Sequence, residues 1–208
     1  MDRAELKAAA KEQIKGKIGI LFVISLIISL ISGAAGGLLS LIPVVGPIIA
    51  AVVVTPAFTL SMVRIYLLVM RYTKVEVGDA FYGFTDFWSA FKLTFLVGLF
   101  TFLWSLLFYI PGIIKAISYS MSMYVLAENP GKSALECIDE SKRITDGHKA
   151  ELFLLSLSFI GWILLGVITL GIAYIWVIPY METTMANAYD WLNPKPVCEI
   201  PEIPESEA

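Results

Sequence analysis

Three ionisable side chains interrupt long uncharged stretches of this sequence: Arg64, Lys115 and Glu182. Residues 18–63 hold no charge, residues 93–127 hold Lys115 alone, and residues 152–189 hold Glu182 alone. A lone acid or base in such a setting suits a proton or cation path, or a polar site between helices. Depth separates the three. At 1.5 Å per residue, Glu182 lies about 16 Å beyond Gly171, near the midplane of a hydrocarbon core about 30 Å thick. Arg64 lies roughly 26 Å beyond Pro47 and can snorkel to one headgroup layer, while Lys115, about 4 Å below a turn, can snorkel to the other. Glu182 has no such escape. It is either part of a translocation path or a protonated acid hydrogen-bonded to Ser or Thr on a neighbouring helix.

The surrounding elements must be helices in lipid. Hydrophobic residues make up 58% of the chain and charged residues 16%, well below the charge of a soluble domain. Each uncharged stretch is about two crossings long and is broken near its middle: at Ile42-Pro-Val-Val-Gly-Pro47, at Ile110-Pro-Gly112 and at Thr169-Leu-Gly171. The pattern predicts an all-α polytopic membrane protein with six transmembrane helices in three hairpins, over 18–41, 47–70, 92–110, 113–127, 151–168 and 172–191. Residues 1–17 form a basic amphipathic helix, 18–192 the membrane domain, and 193–208 a disordered acidic tail rich in Pro and Glu. Asp2, Glu5 and Glu12 make the N-terminal segment too acidic for a cleaved signal peptide.

Thirteen of the 15 Lys and Arg residues fall on one side of this arrangement, which predicts a cytoplasmic-membrane protein with both termini in the cytoplasm. Arg3, Lys7, Lys11 and Lys15 recur every four residues beside Leu6, Ala10 and Ile14. That stripe suits contact with anionic lipid headgroups, or else a merely solvated helix end. Phe81, Phe84, Phe87, Trp88 and Phe91 follow a helical period; an interfacial anchor is the reading preferred over a ligand platform. Ser133 and Glu136 form a capping box for a helix to about Thr145, which Gly147 can stop. The pairs Pro56/Tyr66 and Pro179/Tyr189 share a spacing and hint at repeated hairpins.

Soluble catalytic motifs are missing: no Gly-rich phosphate loop, H-E-x-x-H, CxxC or G-x-S-x-G occurs. The lone His148 and the distant Cys137 and Cys198 suggest neither a metal site nor a disulfide framework. Ser105, Ser118, Ser120 and Ser122 are expected as packing surface.

Residues 3–16 (RAELKAAAKEQIKG), Ser141-Lys-Arg-Ile-Thr-Asp-Gly-His-Lys149, Leu157-Ser-Phe-Ile-Gly-Trp162, Gly171 and Pro179-Tyr180 together resemble the bacterial and archaeal membrane family called domain of unknown function 975. That family is similar to the membrane domain fused to some glycerophosphodiester phosphodiesterases. The resemblance implies fold and location, and not hydrolase activity, since the fused enzymes carry their chemistry in a soluble barrel that has no counterpart here. The expectation is a non-enzymatic, lipid-contacting accessory or scaffold protein without cofactor or nucleic-acid partner, possible as a homo-oligomer or beside another membrane protein. The alternative is a small transporter or channel component that uses Glu182.

Overall fold

The computed structural model describes residues 2–39, 45–71, 73–107 and 109–194, and the described residues hold helices and no strand. The acidic tail from 195 onward lies outside them. In chain order the helices are α1 (Arg3–Gln13), α2 (Ile18–Leu39), α3 (Val45–Met70), a 3-10 helix (Val77–Phe84), α4 (Phe87–Leu107), α5 (Tyr109–Tyr119), α6 (Ser122–Glu128), α7 (Ala134–Thr145), α8 (Lys149–Leu157), α9 (Ile160–Ile168) and α10 (Tyr174–Leu192).

Among the described residues, three segments are long and apolar enough to cross a membrane: Phe87–Leu106, Ile110–Glu128 and Lys149–Ile168. A fourth arises if α1 and the start of α2, bent by 86°, count as one span. The apolar helices are compatible with a multi-pass membrane protein. Large apolar side chains face outward along them, among them Leu30, Phe95, Phe102, Leu106, Ile110 and Ile168. Such a belt is unstable in water and stable in lipid.

The helix boundaries depart from the expected ones for local reasons. Pro111 sits in the first turn of α5, where its missing N–H costs nothing, so the helix starts at Tyr109 rather than at 113. The expected fifth helix divides at Ser158 and Phe159 into α8 and α9. The aromatic stripe is split as well. Phe81 and Phe84 lie on the 3-10 helix, while Phe87, Trp88 and Phe91 open α4.

That 3-10 helix lies directly on α3. Gly83 donates its N–H to Ser61 Oγ at 2.8 Å, and Ser61 in turn donates to the Ala57 carbonyl. A Cβ at Gly83 would stand 1.8 Å from the same carbonyl, so only glycine permits this approach. Phe84 meets Phe58 edge to face at 5.2 Å.

Polar contacts gather where the charged segments pack. Asp2 caps α1 by accepting from Ala4 N–H. The Gln13 amide reaches the Met70 carbonyl and Asn187, tying α1 to α3 and α10. Glu128, with a side chain 2% exposed, pairs with Arg71 and accepts from the Tyr189 hydroxyl at 2.9 Å. The capping box of Ser133 and Glu136 opens α7 as expected, and Gly147 follows its end at φ +79°. Ser141 of α7 donates to the Ser118 carbonyl at 2.7 Å, beside the break between α5 and α6.

Candidate intramembrane polar site

Glu182 projects from α10 into a cavity of about 530 Å³ between α2, α3 and α10. One face of α3 supplies most of its wall, through Val54, Thr55, Phe58, Thr59, Met62, Val63 and Tyr66. Ser32 of α2 and Ile178, one turn before Glu182, complete the lining. The spacing explains the composition: Thr55, Phe58, Thr59, Met62 and Tyr66 recur at three and four residues and share one helix face.

The carboxyl neighbours phenols rather than aliphatic hydroxyls. The Tyr124 phenol, on α6, interacts with the Glu182 carboxyl. Tyr66 lies beside it, 1% exposed, and its buried hydroxyl has no hydrogen-bond partner among the described residues. Thr59 donates to the Thr55 carbonyl one turn earlier, which leaves mainly methyl and methylene surface below Tyr66. The cavity is therefore graded, with an acid and a free phenol at one end and apolar wall at the other. Pro179 lacks an N–H and leaves the Ile175 carbonyl without its helical donor, a further acceptor in the same helix.

The serines expected as packing surface bond to their own local backbone rather than to Glu182. Ser105, Ser118, Ser120 and Ser122 each donate to a backbone carbonyl three or four residues back, at 2.7–2.9 Å. Arg64, Lys115 and Glu182 do not form one cluster. The Arg64 guanidinium stacks 3.8 Å from the Tyr82 ring centre, with its Nε buried and without a hydrogen bond. Lys115 lies 4.7 Å over Trp104 on the facing helix.

The basic stripe of α1 meets protein on one side. Lys7 sits 4.4 Å over the Phe159 ring and Lys11 5.7 Å over Tyr180. Burial against this surface, then the neighbouring Arg3 and Lys11 cations, hold the Lys7 amine below the ordinary lysine range. Arg3 is exposed, and Lys15 pairs with Glu12 on the same helix. No group of three His, Cys, Asp or Glu suited to a metal ion occurs among the described residues. His148 instead meets Glu151 at 2.9 Å and the edge of Trp191.

The sequence profile of the family described as Protein of unknown function (DUF975) matches residues 1–118 and 108–195. The chain belongs to the DUF975 family. No curated protein and no solved structure matches it. Family membership therefore brings no assigned activity to Glu182, whose neighbours Tyr66 and Tyr124 no sequence motif marks. The signal present in the sequence was the polar periodicity of Thr55, Thr59 and Tyr66 on one face of α3.

Proposed function

We propose that this DUF975 protein is a non-enzymatic, lipid-contacting accessory protein of the cytoplasmic membrane. Its apolar segments form six crossings in three hairpins, and both termini are cytoplasmic. The observation that carries the reading is the division of its surface. Outward-facing Phe95, Phe102, Leu106, Leu164 and Ile168 form an apolar belt, while charged α1 packs on α10 and charged α7 on α4, α5 and α6. Arg3, Lys7, Lys11 and Lys15 of α1 then meet anionic headgroups from the cytoplasmic side.

Lys7 and Lys11 reach the turns holding Phe159 and Tyr180. Glu182 adjoins Tyr66, one turn from the Met70 end of α3, which is the cytoplasmic end of that crossing. The cavity it faces favours one second reading, a small transporter component with Glu182 in its path.

Proteoliposomes distinguish the two. Under an imposed proton gradient or membrane potential, the accessory reading expects no flux above protein-free vesicles. Proton or cation flux that Glu182→Gln abolishes would establish the transporter instead.

A further inference from the structure

The graded cavity identifies a class of ligand, an identification that rests on the lipid-contacting reading above. We propose that the cavity between α2, α3 and α10 binds one membrane lipid by a primary ammonium head, with the ammonium at Glu182 and a chain along Phe58 and Val54.

The chemistry of the lining selects the head. Among the described residues, Glu182 is the one charged residue on the wall, and no cation lines it. Lys11 of α1 and Arg64 of α3 are engaged with the rings of Tyr180 and Tyr82. An anionic head would meet a carboxyl group with no compensating charge, whereas an ammonium supplies three donors to the oxygens that Tyr124 leaves available. The unpartnered Tyr66 hydroxyl beside them is a donor for an oxygen next to that ammonium, such as a phosphodiester oxygen. A buried hydroxyl without a partner is costly, and such a ligand removes that cost.

Shape selects the rest. From Tyr66 to Val54 the cavity follows α3 for 12 residues, about 18 Å at the helical rise. The wall along this length is mainly Met62, Val63, Phe58 and Val54, with Thr59, bonded to its own helix, Thr55, Ser32 and the 46% exposed Ile178 completing it. The volume falls in the usual range for small-molecule sites, about 300–1,000 Å³. A free ethanolamine would leave the apolar length empty. With the Met70 end of α3 at the cytoplasmic face, the polar end at Tyr66 faces that leaflet surface and the apolar end at Val54 points into the core, which is the orientation of a resident lipid.

Native mass spectrometry of the full chain tests this directly, using micelles with equal phosphatidylethanolamine and phosphatidylglycerol. The wild type should retain one phosphatidylethanolamine in preference to phosphatidylglycerol. Glu182→Gln, which removes the charge facing the ammonium, should lower that occupancy roughly tenfold or more. Ile178→Trp, which narrows the mouth and leaves the carboxyl in place, should do the same, with thermal unfolding confirming that each variant folds. Dodecylamine should displace the lipid and ethanolamine should not; displacement by ethanolamine would overturn the lipid assignment. Equal retention of the two lipids, or full retention by both folded variants, would overturn the site while leaving the lipid-contacting reading intact. A wild type that keeps no lipid of either kind would overturn both.

Discussion

The side-chain amides of Gln13 and Asn187, 174 positions apart, hydrogen-bond each other twice, at 3.1 and 2.7 Å. Gln13 also donates to the Met70 carbonyl. One amide thus joins the first helix, the end of α3 and the last helix, and Gln13 is nearly buried there.

Asn187→Ala strands the Gln13 amide in this setting and should destabilise the protein by about 1–3 kcal/mol. Gln13→Ala should cost a similar amount by exposing the same gap from the other side. Because each removes the same contact, the double variant should lose less than the sum of the two. Thermal unfolding of the four proteins in one detergent measures the coupling; strict additivity would show that the pair does not hold α1 in place.

Gly83→Ala acts on the other polar junction. Its new methyl would stand 1.8 Å from the Ala57 carbonyl, a backbone atom that cannot rotate away. The 3-10 helix must lift off α3, losing the Gly83 to Ser61 hydrogen bond and the Phe58–Phe84 contact. A loss of about 1–3 kcal/mol or more is expected for such overpacking. Gly78→Ala, where a Cβ meets nothing within 4 Å, is the matched control and should change stability far less.

These two junctions show what sequence does and does not carry. The helical class, the cap at Asp2, the capping box at Ser133 and the stop near Gly147 all follow from local residue chemistry, and local chemistry acts within one turn. Glu182 stood out for the same reason, as a charge alone among apolar neighbours. Its partners did not. Tyr66 and Tyr124 come from α3 and α6, and no local rule ranks a tyrosine above Ser105, Ser118, Ser120 or Ser122. Those serines satisfied themselves on their own helices. The split of the aromatic stripe was hidden in the same way, since Gly83 against Ala57 is a tertiary contact.

Two carboxyl groups of α7 give a pH dependence. Hydrogen bonds from Ser133 hold the Glu136 carboxyl below the ordinary range, and Lys132, with Arg143 adding, does the same for Glu140 against partial burial. A carboxyl depressed in the folded state stabilises it fully above the unfolded value, about 4.3. That contribution disappears as pH falls through the lower folded values. Thermal stability should therefore decline on acidification below this point, and less steeply in a Glu136→Gln/Glu140→Gln variant. Equal slopes would show that these carboxyls do not support α7.

The threading in the proposed function is open to cysteine labelling. Cys137 is buried, and burial pushes its thiol up to about 11, so with Cys198 replaced by Ser the background should be silent. Single cysteines at Ile110 and Leu170, exposed at the hairpin turns, should react with an impermeant thiol reagent added outside intact cells. Cysteines at Lys74 and Asp139 should react only after lysis. Ile110 and Leu170 serve better than Gly112, where a Cβ would stand 2.2 Å from Ser105 Oγ. External reaction at 74 or 139 would reverse the orientation.

Glu182 is the remaining case, and two substitutions divide its possible roles. Glu182→Leu takes the carboxyl away from the Tyr124 hydroxyl and leaves that hydroxyl buried near the already unpartnered Tyr66. That change should cost about 1–3 kcal/mol of stability. Glu182→Gln keeps the volume and an acceptor for Tyr124, so its fold should stay near wild type in thermal unfolding. If Gln destabilises as much as Leu, the charge itself is needed for folding and the carboxyl is a structural ion. If Gln folds normally, any difference it then shows in bound lipid or ion flux comes from the lost charge at the cavity, because packing and the phenol contact are unchanged.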